Sequence, residues 1–344
     1  MTNHKSGRRR LKVGLVGVGR LGRVYARDLS ARIEETTLVA VADSNRELAE
    51  RTAQDFDVPR AYGSADELLA DADVEAVVIV SPTHTHRDVA IAAMKARKPT
   101  FCEKPLALTL KECRDIEEAV KQSGTFFQMG FMRRFDPGYT AAKKKIDSGA
   151  IGRPVVFKAT SRDPFPPSVE YANPASSVGI LVDMGIHDLD LARWFMGEVD
   201  TVSAIGATLV YPELASVGDL DNAIATLVFA DGRLGVVDLT RNGIYGYDIS
   251  TELLGTEGTI RIGYLRETPI VAMTKNSVTH DTVPYLMERF ERAYALQLQD
   301  FAQNVLNNRQ PSVTIRDGIE ALRVALAATA SCKRGQPVKV NTIQ

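Results

Sequence analysis

An apolar run at residues 11–16 ends directly in Gly17-Val18-Gly19-Arg20-Leu21-Gly22, and residues 21–29 then read as a helix. This succession of strand, glycine turn and helix constrains the fold more than any other feature of the chain. Glycines at that spacing permit a tight turn and close backbone approach, so a pyrophosphate can rest on the positive N-terminal end of the helix. A glycine-rich turn alone is weak support. Here the next β-rich run ends at Asp43, about 20 residues on, where a carboxylate meets the adenosine ribose. The context predicts a dinucleotide site built from Gly17, Gly19, Arg20, Leu21, Asp43 and Ser44. Asp43 can accept from both ribose hydroxyls and would repel a 2′-phosphate, which favours NAD over NADP. Arg46 argues the other way, unless it is simply a solvated residue at a helix N-terminus.

The surrounding pattern repeats the unit. Short β-rich runs at 12–17, 38–43, 76–80 and 99–102 alternate with helical patterns, the clearest at 89–96 and 110–122. Repeated βαβ units imply an α/β architecture, a doubly wound parallel sheet of the Rossmann type over residues 1–129. From residue 130 the texture changes to longer β-type runs at 201–210, 223–229, 234–240 and 248–254, joined by turns such as Ala230-Asp231-Gly232-Arg233. Consecutive strands without intervening helices predict an α+β domain with an open, mainly antiparallel sheet, over residues 130–312. A helix is expected at 286–306, and Ile315, Ile319, Leu322 and Leu326 mark one apolar face of another at 314–330. Two domains also suit 344 residues, which exceed the usual size of one core.

Charge excludes some partners. Lys plus Arg number 42 against 43 Asp plus Glu, leaving no global field to attract nucleic acid or an acidic membrane. The three cysteines, Cys102, Cys113 and Cys332, form no CxxC pair and fit reduced thiols of a cytoplasmic protein. Basic residues from Arg8 to Arg10 precede an apolar run, as in twin-arginine export signals. That reading is rejected, because the run is short, is broken by Lys12 and glycines, and has no small-residue cleavage site behind it. No stretch approaches the roughly 20 apolar residues of a membrane helix.

Two further loops follow strands: Ser81-Pro82-Thr83-His84-Thr85-His86 and Glu103-Lys104-Pro105. In a doubly wound sheet the carboxyl ends of the first, fourth and fifth strands converge on one crevice, so Ser81, Pro82, Thr83, His84, His86 and Glu103 are expected to line the cofactor. Lys104 is then aimed where substrate meets cofactor, and can donate to a reacting oxygen as alkoxide character develops. The alternative is a surface lysine before a proline turn. Pro105 restricts Lys104 to extended geometry and admits a cis bond. In the second domain Asp183 and His187 stand four residues apart, on one face if the segment is helical. An imidazole can take a hydroxyl proton while the carboxylate orients it or holds the substrate. The plain alternative is an exposed pair of small worth, against which Ile180, Leu181, Met184, Leu189 and Leu191 predict burial. His84, His86 and His187 also offer metal-ligand chemistry. Helix capping or nicotinamide contact explains the first two equally well, and no metal is predicted.

These elements, together with Gly130-Phe131-Met132-Arg133-Arg134-Phe135-Asp136, Ser161-Arg162-Asp163-Pro164, Tyr245-Gly246-Tyr247-Asp248 and Asp317-Gly318-Ile319-Glu320-Ala321-Leu322, resemble the glucose-fructose oxidoreductase and inositol dehydrogenase family over nearly the whole chain. Glu103-Lys104-Pro105 marks the broad family. The arginine pair and the two elements around Asp163 and Tyr247 narrow the likeness towards inositol oxidation. The resemblance implies an NAD-dependent oxidoreductase acting on the CH–OH group of a polyol or sugar, with Lys104, Asp183 and His187 at the catalytic positions and His187 as general base. It places Met132, Arg133, Asp163 and one of Tyr245 or Tyr247 against the substrate. It implies that 313–344 packs back on the first domain, and that the chain forms a homo-oligomer, a tetramer, through the open sheet. One segment departs from the pattern: Asn173-Pro174-Ala175-Ser176-Ser177-Val178-Gly179-Ile180 differs from the Ser-Gly-Gly type of inositol enzymes, which opens the substrate to another inositol isomer or an aldose. A glycoside-cleaving enzyme using transient NAD oxidation, and a nicotinamide sensor without turnover, are the other readings.

Overall fold

The computed structural model describes residues 9–173 and 178–344; residues 174–177, the middle of the departing segment, lie outside them. The chain divides into two compact units: Met1–Phe131 with Tyr294–Gly318, and Met132–Ala293 with Ile319–Gln344.

In the first unit six parallel strands, β1 (Leu11–Val16), β2 (Thr36–Ala42), β3 (Arg60–Tyr62), β4 (Ala76–Ile79), β5 (Thr100–Glu103) and β6 (Phe127–Gly130), lie in the order β3-β2-β1-β4-β5-β6. Val13 pairs with Leu38 on one side and with Ala76 on the other. The order therefore reverses between β1 and β4, where strand carboxyl ends open a crevice in such sheets. Every residue of β4 is buried, as expected when helices cover both faces of a parallel sheet. The helix foreseen at 89–96 is Thr83–Lys95; its polar first turns conceal the apolar period. Helix Leu110–Ser123 begins in a capping box between Thr109 and Glu112.

The second unit carries a seven-stranded sheet of β7 (Pro154–Arg162), β8 (Val199–Ala207), β9 (Asn222–Phe229), β10 (Leu234–Thr240), β11 (Asp248–Gly255) and β12 (Thr259–Ile262), with β13 (Ala272–Met273) and β14 (Val278–Thr279) forming a separate hairpin and β15 (Val338–Lys339) closing one edge. The order is β12-β11-β7-β10-β9-β8-β15, antiparallel throughout except where β10 runs parallel to β7. Alternate residues of β9 are buried and exposed, so one face of the sheet packs on a core and the other is open.

Of the segment 313–344 expected to return to the first unit, residues 313–318 fall in that unit and the remainder in the second. The first unit takes Tyr294–Gly318, where Val313 O accepts a hydrogen bond from Met129 N at 3.0 Å. Residues beyond Gly318 belong to the second unit because β15 pairs with β8 and Ser331 Oγ accepts from Ala204 N at 2.9 Å.

Candidate active site

The glycine turn is shaped by what a side chain would strike. Gly17 has φ of 91°, and a Cβ there would lie 2.5 Å from Ser81 N, so the loops after β1 and β4 touch backbone to backbone. A Cβ on Gly22 would lie 2.1 Å from Gly17 O, whereas one on Gly19 would meet nothing within 4 Å. Helix Arg20–Arg27 starts at Gly19 without a side-chain cap, so its first N–H groups face that open space. Asp43 closes the rim: Oδ2 accepts from Val18 N at 3.0 Å and Oδ1 from Asn45 N at 2.9 Å. Each oxygen keeps a second lone pair for a ribose hydroxyl. These features fit a dinucleotide. Ser44 and Arg20 are exposed and Leu21 is half-buried beside the turn. Arg46 pairs with Glu50 at 3.0 Å on the exposed side of its helix, in keeping with a solvated residue.

In the loop after β4, Thr85 Oγ1 donates to Pro82 O at 2.7 Å and so accepts from Ser81 Oγ at 2.7 Å. Thr83 opens the helix and His84 is exposed. His86 is turned inward. It is 1% exposed, with Nδ1 2.9 Å from Pro105 O and Nε2 2.8 Å from Ser81 O, so its ring ties the two loops together. Burial lowers its pKa, opposed by the two carbonyls. Both ring nitrogens are engaged, which also removes His86 from any metal set. Among the described residues no group of three or more His, Cys, Asp or Glu is placed to hold an ion.

Lys104 is half-buried and precedes Pro105 through a cis peptide. Its N–H donates to Glu103 Oε2 at 3.0 Å. The side chain of Glu103 also departs from expectation: it is buried, and Oε1 accepts from Tyr25 Oη and, at 3.2 Å, from Gln297 Nε2. Burial raises the Glu103 pKa against these bonds, and burial together with Glu103 raises that of Tyr25. Glu103 therefore anchors the loop from inside the unit rather than presenting its carboxylate to a ligand.

In the second unit Asp183 ends a short helix, Ile180–Asp183, and His187 is the second residue of the next, Ile186–Met196. The expected single helix is interrupted between them. Gly185 N reaches back to Ile180 O at 3.0 Å, and a Cβ on Gly185 would lie 2.6 Å from Leu181 O. Ile180, Leu181, Met184, Leu189 and Leu191 are all buried, and so is His187, which sets aside the reading of an exposed pair. Asp183 Oδ1 accepts from Tyr171 Oη at 3.0 Å, and Arg241 Nη2 stands 3.7 Å from Oδ2.

Arg133 has its partners inside the unit. It is 2% exposed, and Nη1 bonds Asp188 Oδ1 at 2.6 Å and Ser161 Oγ at 3.1 Å. Arg134 grips Asp190 through two bonds of 2.8 and 2.5 Å. The arginine pair thus clamps the His187 helix from within. Burial raises the Asp188 pKa against the pull of Arg133. Met132 is buried beside it. Asp163 is half-buried, its backbone joined to Thr240 O and Gly243 N. Tyr247 is buried with its ring edge-on to Tyr285 and Phe290. Tyr245 is 42% exposed, donates to Asp248 Oδ2 at 2.9 Å and accepts from Arg162 Nη1 at 3.2 Å.

Sequence reasoning missed Tyr25 and Gln297 around Glu103, and Tyr171, Asp219 and Arg241 around Asp183. The available signal was an arginine directly after the alternating strand 234–240, a position that calls for a buried carboxylate without saying which.

Residues 11–131 match the family described as an oxidoreductase family with an NAD-binding Rossmann fold, and residues 143–340 match that family's C-terminal alpha/beta domain. This chain belongs to that oxidoreductase family. Its dinucleotide is NAD, which the carboxylate of Asp43 also favours. The chain is 39% identical over 332 residues to the scyllo-inositol 2-dehydrogenase (NAD(+)) of Bacillus subtilis, covering 96% of each. It is 37% identical to the myo-inositol 2-dehydrogenase of Thermotoga maritima, covering 97% of this chain and 99% of that one. A crystal structure of scyllo-inositol dehydrogenase from Lactobacillus casei with bound NAD(H) and scyllo-inositol superimposes with a TM-score of 0.92 at 32% identity, covering 97% of this chain and all of the other.

Proposed function

We propose that the chain oxidises a secondary hydroxyl of a cyclic polyol, of the scyllo- or myo-inositol type, to the ketone. Bound NAD supplies the hydride acceptor, its nicotinamide C4. His187 takes the hydroxyl proton as general base, since imidazole exchanges protons readily near neutrality. Lys104 donates to the reacting oxygen as negative charge develops on it. Asp183 accepts from a substrate hydroxyl and orients it. The backbone around Gly17, Gly19, Arg20 and Leu21 carries the pyrophosphate, Asp43 and Ser44 the ribose, and Ser81 to His84 the nicotinamide side. Asp163 and Tyr245 are the polar side chains of the substrate region that are not fully buried, and we assign them to hydroxyl recognition ahead of the enclosed Tyr247.

The observation that carries this reading is the buried turn at Gly185, where a carboxylate held by Tyr171 and Arg241 stands four residues before an imidazole. Near-full-length likeness to a scyllo- and a myo-inositol 2-dehydrogenase supports the same substrate class. Val228, Leu234, Val156 and Leu254 form one cross-strand row on the open sheet face, Val156 half-buried and the other three exposed. Such a row suits self-association, and we assign the homotetramer to it. No helix of the described residues is long and apolar enough to cross a membrane. The free thiols Cys102, Cys113 and Cys332 accord with a cytoplasmic setting.

The test is absorbance of reduced nicotinamide when the protein meets NAD and a panel of inositols and aldoses. Sustained accumulation with an inositol is expected. No reduction with any member, by protein shown to bind NAD, overturns the proposal, and release of an aglycone without net reduction would point to glycoside cleavage instead.

A further inference from the structure

We propose that Arg241 is a positioning residue for Asp183, acting through a bridge to Asp219; this rests on the role given to Asp183 above. Arg241 follows β10 directly and is 2% exposed. Its Nη2 lies 3.1 Å from Asp219 Oδ2 and 3.7 Å from Asp183 Oδ2, so one cation serves two carboxylates. Asp219 is itself buried, and its Oδ1 accepts from Ile180 N at 2.9 Å. Ile180 opens the short helix that ends in Asp183. One carboxylate therefore holds the start of that helix, the other stands at its end, and the guanidinium spans the two.

The arginine is fixed in turn by its own backbone. Arg241 N donates to Asp221 O at 2.8 Å. The Asp221 carboxylate gathers the N–H groups of Leu209, Val210 and Tyr211 at 2.7 to 3.0 Å. Burial works against the charged form of Asp221, yet these bonds hold its pKa below the usual carboxylate range. Tyr171 from the helix Val169–Ala172 and Arg241 from the end of β10 both approach Asp183, and Asp219 lies on the other side of the guanidinium. Arg241 Nη1 and Nη2 make no hydrogen bond of good geometry, so the hold on both carboxylates is mainly charge attraction. Without the cation, nothing would draw the Asp183 carboxylate towards the start of its own helix. A lysine keeps the charge, but its ammonium is one atom closer to the backbone than Nη2, so it would fall short of the place between the two carboxylates.

Three variants test this in steady-state kinetics with NAD and an inositol, alongside NAD affinity and thermal unfolding: R241K, R241M with D219N, and D183N. The double variant removes opposite charges together, so it is expected to fold. Both arginine variants should lose about tenfold or more in kcat/KM while NAD affinity stays within about twofold. In both variants the loss should fall on KM for the inositol more than on kcat, because the displaced carboxylate is the group that holds the substrate hydroxyl. A loss carried by kcat alone with parental KM, or parental kcat/KM in both variants, overturns the proposal. If the double variant does not fold, R241K alone decides: a loss carried by KM supports the bridge, and parental kcat/KM refutes it. Should D183N turn over at the parental rate, the role of Asp183 itself has failed, an outcome separate from failure of the bridge.

Discussion

Around Lys104 the neighbours are backbone carbonyls and side chains that share protons: His86 between Pro105 O and Ser81 O, and Glu103 with Tyr25 and Gln297. Around Asp183 and His187 the second unit instead buries arginine–carboxylate pairs, Arg133 with Asp188, Arg134 with Asp190 and Arg241 with Asp219. The two regions fail differently when altered. A loop held by hydrogen bonds to backbone and uncharged partners loses geometry, whereas a helix held by buried ion pairs loses folding free energy, because the surviving partner is a buried charge.

The sharpest way to break this contrast is Arg133→Met. It leaves Asp188 buried and unpaired and should cost about 3–5 kcal/mol in denaturant unfolding. Adding Asp188→Leu should recover most of that loss, since replacing both partners with apolar groups is often close to neutral. A single variant as stable as the parent would show that the pair contributes no constraint.

Gly17→Ala probes the backbone-built side. A side chain at φ of 91° costs roughly 1–2 kcal/mol, and its Cβ would press on Ser81 N. NAD affinity measured by titration calorimetry should fall about tenfold or more, and unfolding stability should fall by about the strain itself, roughly 1–2 kcal/mol. Parental affinity would mean that the loop contact at Gly17 plays no part in holding the dinucleotide.

The smallest effect expected is that of His86→Leu, about 1 kcal/mol at neutral pH from the one hydrogen bond that a neutral imidazole donates to a carbonyl. Burial lowers the His86 pKa in the folded state, so the unfolded chain binds more protons around histidine's ordinary pKa of about 6.5. The contribution is present above that pH and is lost as pH falls through and below it. The parent should therefore lose stability between about pH 7 and 5 more steeply than His86→Leu. Parallel profiles would contradict the buried, largely neutral imidazole.

The same contrast explains what could be read from the chain. The glycine turn and Asp43 were legible because their work is local: Asp43 bonds Val18 and Asn45, and Gly17 needs only its own φ. The chemistry-bearing types Lys104, Asp183 and His187 were legible as types. The protein partners of Glu103 and Arg133 were not legible because they are remote: Gln297 is 194 residues from Glu103, and Asp188 is 55 from Arg133. No local pattern records such a pairing. Strands β3 and β6 span too few residues for a period to emerge, and the chain after Gly318 joined the second unit through β15, a two-residue strand invisible in composition.

The central claim is that Lys104 and His187 serve one proton-and-hydride transfer, and a double-mutant cycle tests it most directly. Lys104→Ala and His187→Ala should each lower kcat by about a hundredfold or more, with NAD affinity largely kept. If they act on the same reacting oxygen, the double variant should be hardly slower than the worse single one, as for groups that work as a unit. Losses that multiply, or near-parental turnover in either single variant, would contradict the account.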